Sequence, residues 1–129
     1  MAKFTAPDDS KVIVDETRVI RIRQTISGED GKTRIDWAMM SLVKESIDDV
    51  VPIIRVKLAS LASLTDLANK KVWFDAKQAV GPLPITDMER NSGFNSSFKI
   101  MGYLQYVVET PDQVRQVIKA AGGVPVGDA

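Results

Sequence analysis

The sequence predicts an α+β fold built of two homologous β-rich halves, each a set of short antiparallel strands followed by one helix. Three observations lead there. The stretch Val43-Lys44-Glu45-Ser46 returns 64 positions later as Val107-Val108-Glu109-Thr110. Each copy reads as a strand end and a helix cap, followed by an apolar stripe at helical spacing. Likewise, Lys11-Val12-Ile13-Val14-Asp15 returns 60 positions later as Lys71-Val72-Trp73-Phe74-Asp75. Finally, short β-branched runs alternate with clusters of Gly, Asp, Asn and Ser, the punctuation of hairpins. The expected halves are 1–55 and 56–123, packed about a pseudo-twofold, with 124–129 as a flexible tail. A module of about 60 residues buries too little surface to be robust alone, so two copies supporting each other make physical sense.

Taken in order, 3–6 is a first strand, closed by the turn formers Pro7-Asp8-Asp9-Ser10, and 11–15 is a second. From Ile20 the chain alternates apolar and charged residues. That alternation predicts a strand with Ile20 and Ile22 inward and Arg21 and Arg23 on a wet face. The stretch 27–31 carries two glycines and reads as a hairpin turn. Strands over 32–37 and 41–44 follow. Ser46 then caps a helix in which Ile47, Val50, Val51 and Ile54 share a face, and Pro52 is expected to shorten it. The junction has two readings: a helix ending near Arg55 with 56–60 as the first strand of the second half, or a helix running to about Ala62. Pro52 favours the former.

The second half repeats the order: strand 71–75, an apolar pair at Ala79-Val80, strands over 96–100 and 103–108, and a helix from Thr110. Thr110-Pro111-Asp112-Gln113 has the pattern of a capping box with proline at the first helical position. Asp15 and Asp75 occupy corresponding places and are expected to close turns through their own backbone. The change of offset from 60 to 64 assigns about four extra residues to a Pro- and Gly-rich loop, 81–93.

Composition limits the chemistry. Lys plus Arg and Asp plus Glu number 17 each, so there is no basic excess of the kind nucleic-acid binders carry. Without cysteine there are no disulfides, zinc–thiolate sites or thiol nucleophiles; without histidine the commonest general base and metal ligand is missing. No phosphate loop or nucleophile elbow is present. The expectation is a non-enzyme with no catalytic residues, no cofactor and no metal. It is placed in a virion or the cytoplasm of a bacterial host, with neither a secretory leader nor a bilayer-spanning segment.

Two groups of residues stand out. The loop 81–97 is longer than a hairpin needs and carries Leu83, Ile85, Met88 and Phe94, apolar side chains that must be buried either on their own domain or on a partner. Arg18, Arg21, Arg23 and Arg34 sit on the first hairpin, either as a phosphate-contacting stripe or as a solvated strand face near Glu29 and Asp36. Trp37 and Trp73 read as core aromatics, with ligand platforms as the alternative.

The skeleton of each half, a strand ending in Asp, further strands, and a last strand running into Val-x-Glu-Ser/Thr and a helix, resembles the small β-rich module of FlbD-type flagellar proteins. The residues that carry the resemblance are Val43-Lys44-Glu45-Ser46 with Val50, and Val107-Val108-Glu109-Thr110 with Val114. The duplication and the long second loop depart from that family, so its role is not carried over. In general style the chain also resembles small phage capsid-associated proteins. The expected function is therefore structural: an assembly protein, such as a virion component that decorates or cements a phage capsid. Its partners would be protein subunits, itself as a homo-oligomer or a capsid shell. The alternative is a small regulatory module contacting nucleic acid or a protein.

Overall fold

The computed structural model describes residues 1–127, and over them the chain is α+β, with ten strands and three α-helices. It divides into two compact units, Met1–Ala59 and a second beginning at Ser60. The division falls four residues later than the expected 55/56 boundary. Ser60 belongs to the second unit by its bonds: its Oγ donates to Asp75 Oδ1 (2.6 Å) and its carbonyl accepts from Ala76 N (2.9 Å).

In the first unit, β1 (Ala2–Thr5) and β2 (Lys11–Val14) form an antiparallel hairpin. A 3-10 turn at Glu16–Arg18 comes next, capped by Asp15. Then β3 (Arg21–Gln24), β4 (Thr33–Asp36) and β5 (Met40–Val43) pair antiparallel in that order, with β5 at the edge. Helix α1 (Ile47–Arg55) buries Val50, Val51 and Ile54 and packs on β3. It ends where Pro52 suggested. The core is Phe4, Val14, Val19, Ile22, Ile35 and Val43, each at most 1% exposed.

In the second unit, β6 (Leu61–Thr65) pairs with β7 (Lys71–Asp75). β8 (Ala79–Leu83), α2 (Asp87–Asn91), β9 (Ser96–Ile100) and β10 (Tyr103–Val107) come next, with β9 between β8 and β10. Helix α3 (Pro111–Ala120) lays the buried pair Val114 and Ile118 on the sheet, at the i, i+4 spacing of one helical face. Phe74 and Phe98 stack in the core with ring centroids 4.4 Å apart. Among the described residues no helix is long and apolar enough to cross a membrane.

Several bonds of the first unit recur in the second at the positions that the sequence repeat aligns. Thr5 N donates to Glu45 Oε1, and Thr65 N to Glu109 Oε1, both at 2.9 Å. Lys44 N donates to Thr5 O (2.7 Å), Val108 N to Thr65 O (2.9 Å). Asp15 Oδ1 accepts from Thr17 N and Asp75 Oδ1 from Lys77 N, both at 3.1 Å, as the turn-closing reading expected. Even the left-handed turn residues match, Asp9 at φ 70° and Asn69 at φ 61°. The glutamate of the Val-x-Glu motif therefore has a defined structural role, since its carboxylate ties the first strand of each unit to the last.

Several expectations need correction. Residues 56–60 are not a strand, because Lys57 N and Leu58 N both return to Ile54 O and prolong the helix end as a turn. Gly81, Pro82 and Leu83 belong to β8 and not to a loop, and the sheet accommodates them with a bulge between Val80 and Leu83. The extra residues are split between two places. Ten residues separate Arg23 from its partner Arg34 and thirteen separate Leu83 from Ser97, whereas seven lie between Arg34 and Leu42 and eight between Ser97 and Tyr106. The tail is docked over 124–127: Val126 N donates to Gly81 O (2.6 Å), Arg115 Nε donates to Val126 O (3.1 Å), and Pro125 is buried. Its last two residues, 128 and 129, lie outside the described range.

Candidate functional site

An apolar groove of about 560 Å3 opens on the first unit. Trp37, Met39, Met40 and Leu42 form one wall, and Pro7 and Ile13 part of the other. Its place follows from strand pairing. β2 pairs with β1 alone among the described strands, and β5 is an edge, so two strand flanks border an unfilled space. Met39, Met40 and Ile13 are 62%, 46% and 40% exposed there. Full burial of such a side chain is worth about 1.5–3 kcal/mol, so three of them around one cavity form an attractive surface. Lys11 and Asp30 add one charge of each sign to the lining. Trp37 is held by its indole, which donates to Ser41 Oγ at 3.0 Å.

Beside this wall, on the neighbouring strands of the same sheet face, lies a ladder of charges. Arg34 stands in register with Leu42, and Asp36 with Met40. Asp36 accepts from Arg21 Nε (2.8 Å) and Arg34 Nε (3.0 Å); Glu29 accepts from Arg34 Nη1 (2.9 Å) and from both terminal nitrogens of Arg23 (2.9 and 3.0 Å). Arg23 and Arg34 are cross-strand neighbours that would repel each other. Glu29 bridges them. The Arg23 guanidinium foremost, with further bonds from Ile26 N and Arg34, outweighs partial burial and lowers the Glu29 carboxyl to about 2.

The face expected to be wet is therefore covered: Arg21 is 6% exposed and Asp36 1%. Charges can be buried there because each is paired with an opposite one at bonding distance. Arg18 lies apart, exposed in the 3-10 turn. The four arginines thus do not form one accessible stripe. Neither tryptophan is a core residue: both are half-buried, Trp37 on the groove and Trp73 with the Lys71 amine 5.7 Å from its ring centroid. Among the described residues no group of three or more carboxylates converges as a metal site would require.

The second unit treats the corresponding place differently. Its segment 84–95 carries α2, whose capping box Thr86-Asp87-Met88-Glu89 is a local signal that the loop reading of 81–97 missed. The Phe94 ring rests on Tyr106 with centroids 5.4 Å apart. The Thr86 hydroxyl foremost holds the Glu89 carboxyl below its usual range, while desolvation and the nearby Glu89 carboxylate push the Tyr106 phenol up. Of the four apolar residues singled out in the loop, Leu83 pairs within the sheet and Phe94 packs internally. Ile85 is half-buried, and Met88 is 79% exposed on α2.

The groove itself was not read from the sequence. Its one signal was Trp37-Ala38-Met39-Met40, a tight turn carrying three large apolar side chains, where polar residues are the norm. Comparison of the chain with family models, with curated proteins and with solved structures finds no match.

Proposed function

We propose that this chain is a non-enzymatic binding component of a protein assembly, built from a duplicated module whose first copy docks a partner protein through the groove at Trp37. One observation carries the reading: Ile13, Met39 and Met40 are exposed around a single apolar cavity, while the charged groups beside it are satisfied by one another. A surface of this kind offers contact area and no reactive group. A phage shell is one assembly whose decorating subunits need only such a surface. The nucleic-acid alternative is the weaker reading, since Arg21, Arg23 and Arg34 already bond carboxylates.

Site-specific photocrosslinking in the native host tests this. A crosslinker at Met39, on the groove, is compared with one at Met101, which is 69% exposed against 62% for Met39 and lies in the corresponding turn of the second unit. A discrete protein adduct from Met39 alone, abolished by Leu42→Asp, is expected. Equal adducts from both positions, or none from either, overturn the reading. An adduct with a shell subunit would place the chain on a capsid.

A further inference from the structure

The two units share their bonding pattern, so the second shows what kind of group covers this place in the first. Lys32 N donates to Val43 O (2.8 Å) and Asn95 N to Val107 O (3.0 Å), which makes Lys32 and Asn95 corresponding residues. The residue just before is Gly31 in one unit and Phe94 in the other. Leu42 corresponds to Tyr106, and Pro7 to Leu67, by the same register. In the second unit Phe94 covers Tyr106, and Gly93 lies so close to Leu67 that a Cβ on it would sit 2.9 Å from Leu67 Cδ2. The segment that is longer by three residues thus runs along the counterpart of the groove.

The first unit cannot cover the groove from the same position. Gly31 has φ +80°, and a Cβ there would lie 2.6 Å from Val43 O. Its shorter loop passes against β5 with no side chain, leaving Leu42 to line an open cavity. Asp30, next in the chain to Gly31, is exposed and brings a negative charge to the lining at this loop, while Lys11 brings a positive one from β2.

We propose that the groove of the first unit takes an aromatic side chain from a loop of a partner protein, with a cationic residue next to the ring facing Asp30. The ring takes, against Leu42, the place that Phe94 takes against Tyr106. An aromatic anchor in an apolar pocket is the form that binding hot spots commonly have. This rests on the docking role proposed above and adds the chemistry of the occupant.

The probe is a synthetic peptide of residues 84–95, which contains Arg90 and Phe94, added to the full chain carrying Trp73→Phe so that Trp37 is the single tryptophan. Saturable change in Trp37 fluorescence is expected, with at least tenfold weaker binding for the Phe94→Ala peptide and for Leu42→Asp protein. Asp30→Asn is expected to weaken binding two- to fivefold. If Trp73→Phe disturbs folding, 5-fluorotryptophan in the unaltered chain gives the same readout by 19F resonance. Equal binding of the unaltered and Phe94→Ala peptides, or no Trp37 response at millimolar peptide, overturns the proposal. So does a Trp37 signal that shifts with protein concentration alone, which would make a second copy the occupant. An unchanged affinity of Asp30→Asn removes the cationic neighbour. A Met39 adduct in cells without peptide binding would leave the docking role standing and sink the aromatic occupant; absence of both would sink the two together.

Discussion

At corresponding places beside the last strand of each sheet, the first unit has Gly31 and an open groove, and the second has Phe94 resting on the half-buried Tyr106. The same sheet face differs on the neighbouring strands as well. Arg23 faces Arg34 in the first unit where Leu83 faces Ser97 in the second, and Arg21 faces Asp36 where Gly81 and Lys99 stand. One framework of strands, turns and caps thus supports two surfaces. The bonds that build the framework are repeated; the side chains and the loop length that finish it are not. Architecture resides in what the units share, and specificity in what separates them.

The largest expected separation comes from Asp36→Ala. Removing the carboxylate that Arg21 and Arg34 both bond takes from the buried Arg21 its Asp36 ion pair and from Arg34 one of its ion pairs, a loss of about 3–5 kcal/mol. The same change at Lys99, its exposed counterpart, should stay within about 0.5 kcal/mol. Urea denaturation of the two variants measures the contrast, and similar midpoints would mean that the ladder is not what holds the first unit.

Acid should distinguish the units next. Glu29 has its carboxyl depressed from 4.5 to about 2 in the fold, so the stabilisation it brings is present above pH 4.5 and is lost as pH falls from there toward 2. The linked free energy is on the order of 3 kcal/mol. Stability measured from pH 6 to pH 2.5 should fall more steeply for the unaltered chain than for Glu29→Gln. Parallel curves would show that Glu29 titrates normally.

The smallest effect is the most pointed. Phe94→Ala removes the ring that rests on Tyr106, at a cost of about 1 kcal/mol beyond the area exposed. It should make the second unit resemble the first, raising solvent accessibility at Tyr106 in a nitration or quenching assay while Trp37 stays unchanged. A Tyr106 response no larger than that of the unaltered chain would mean that Phe94 does not close this surface.

Much of the framework could be read locally. Thr110-Pro111-Asp112-Gln113 announces its helix because a capping box satisfies orphan N–H groups within four residues, and the structure has both of its bonds. Asp15 and Asp75 close turns two residues away, so sequence neighbours suffice to see it. The wet-face reading of Arg21 failed for the opposite reason. Period-two alternation says which side chains share a face; whether that face meets water depends on partners from another strand, here Asp36 fifteen residues on. Likewise Trp37 reads as core because its residue type favours burial, and it borders a groove because the covering segment found near Tyr106 has no counterpart at Leu42.

The recurrent Val-x-Glu-Ser/Thr stretch shows where the division lies. Its position, its cap and its recurrence are local facts, set by strand pattern and helix-end chemistry, and they are visible in a single reading of the chain. What its glutamate bonds, forty and forty-four residues away at Thr5 and Thr65, is set by folding. The same holds for the groove. An open surface is defined by a side chain that is not there, and only packing in three dimensions shows that Gly31 leaves a place that Phe94 fills.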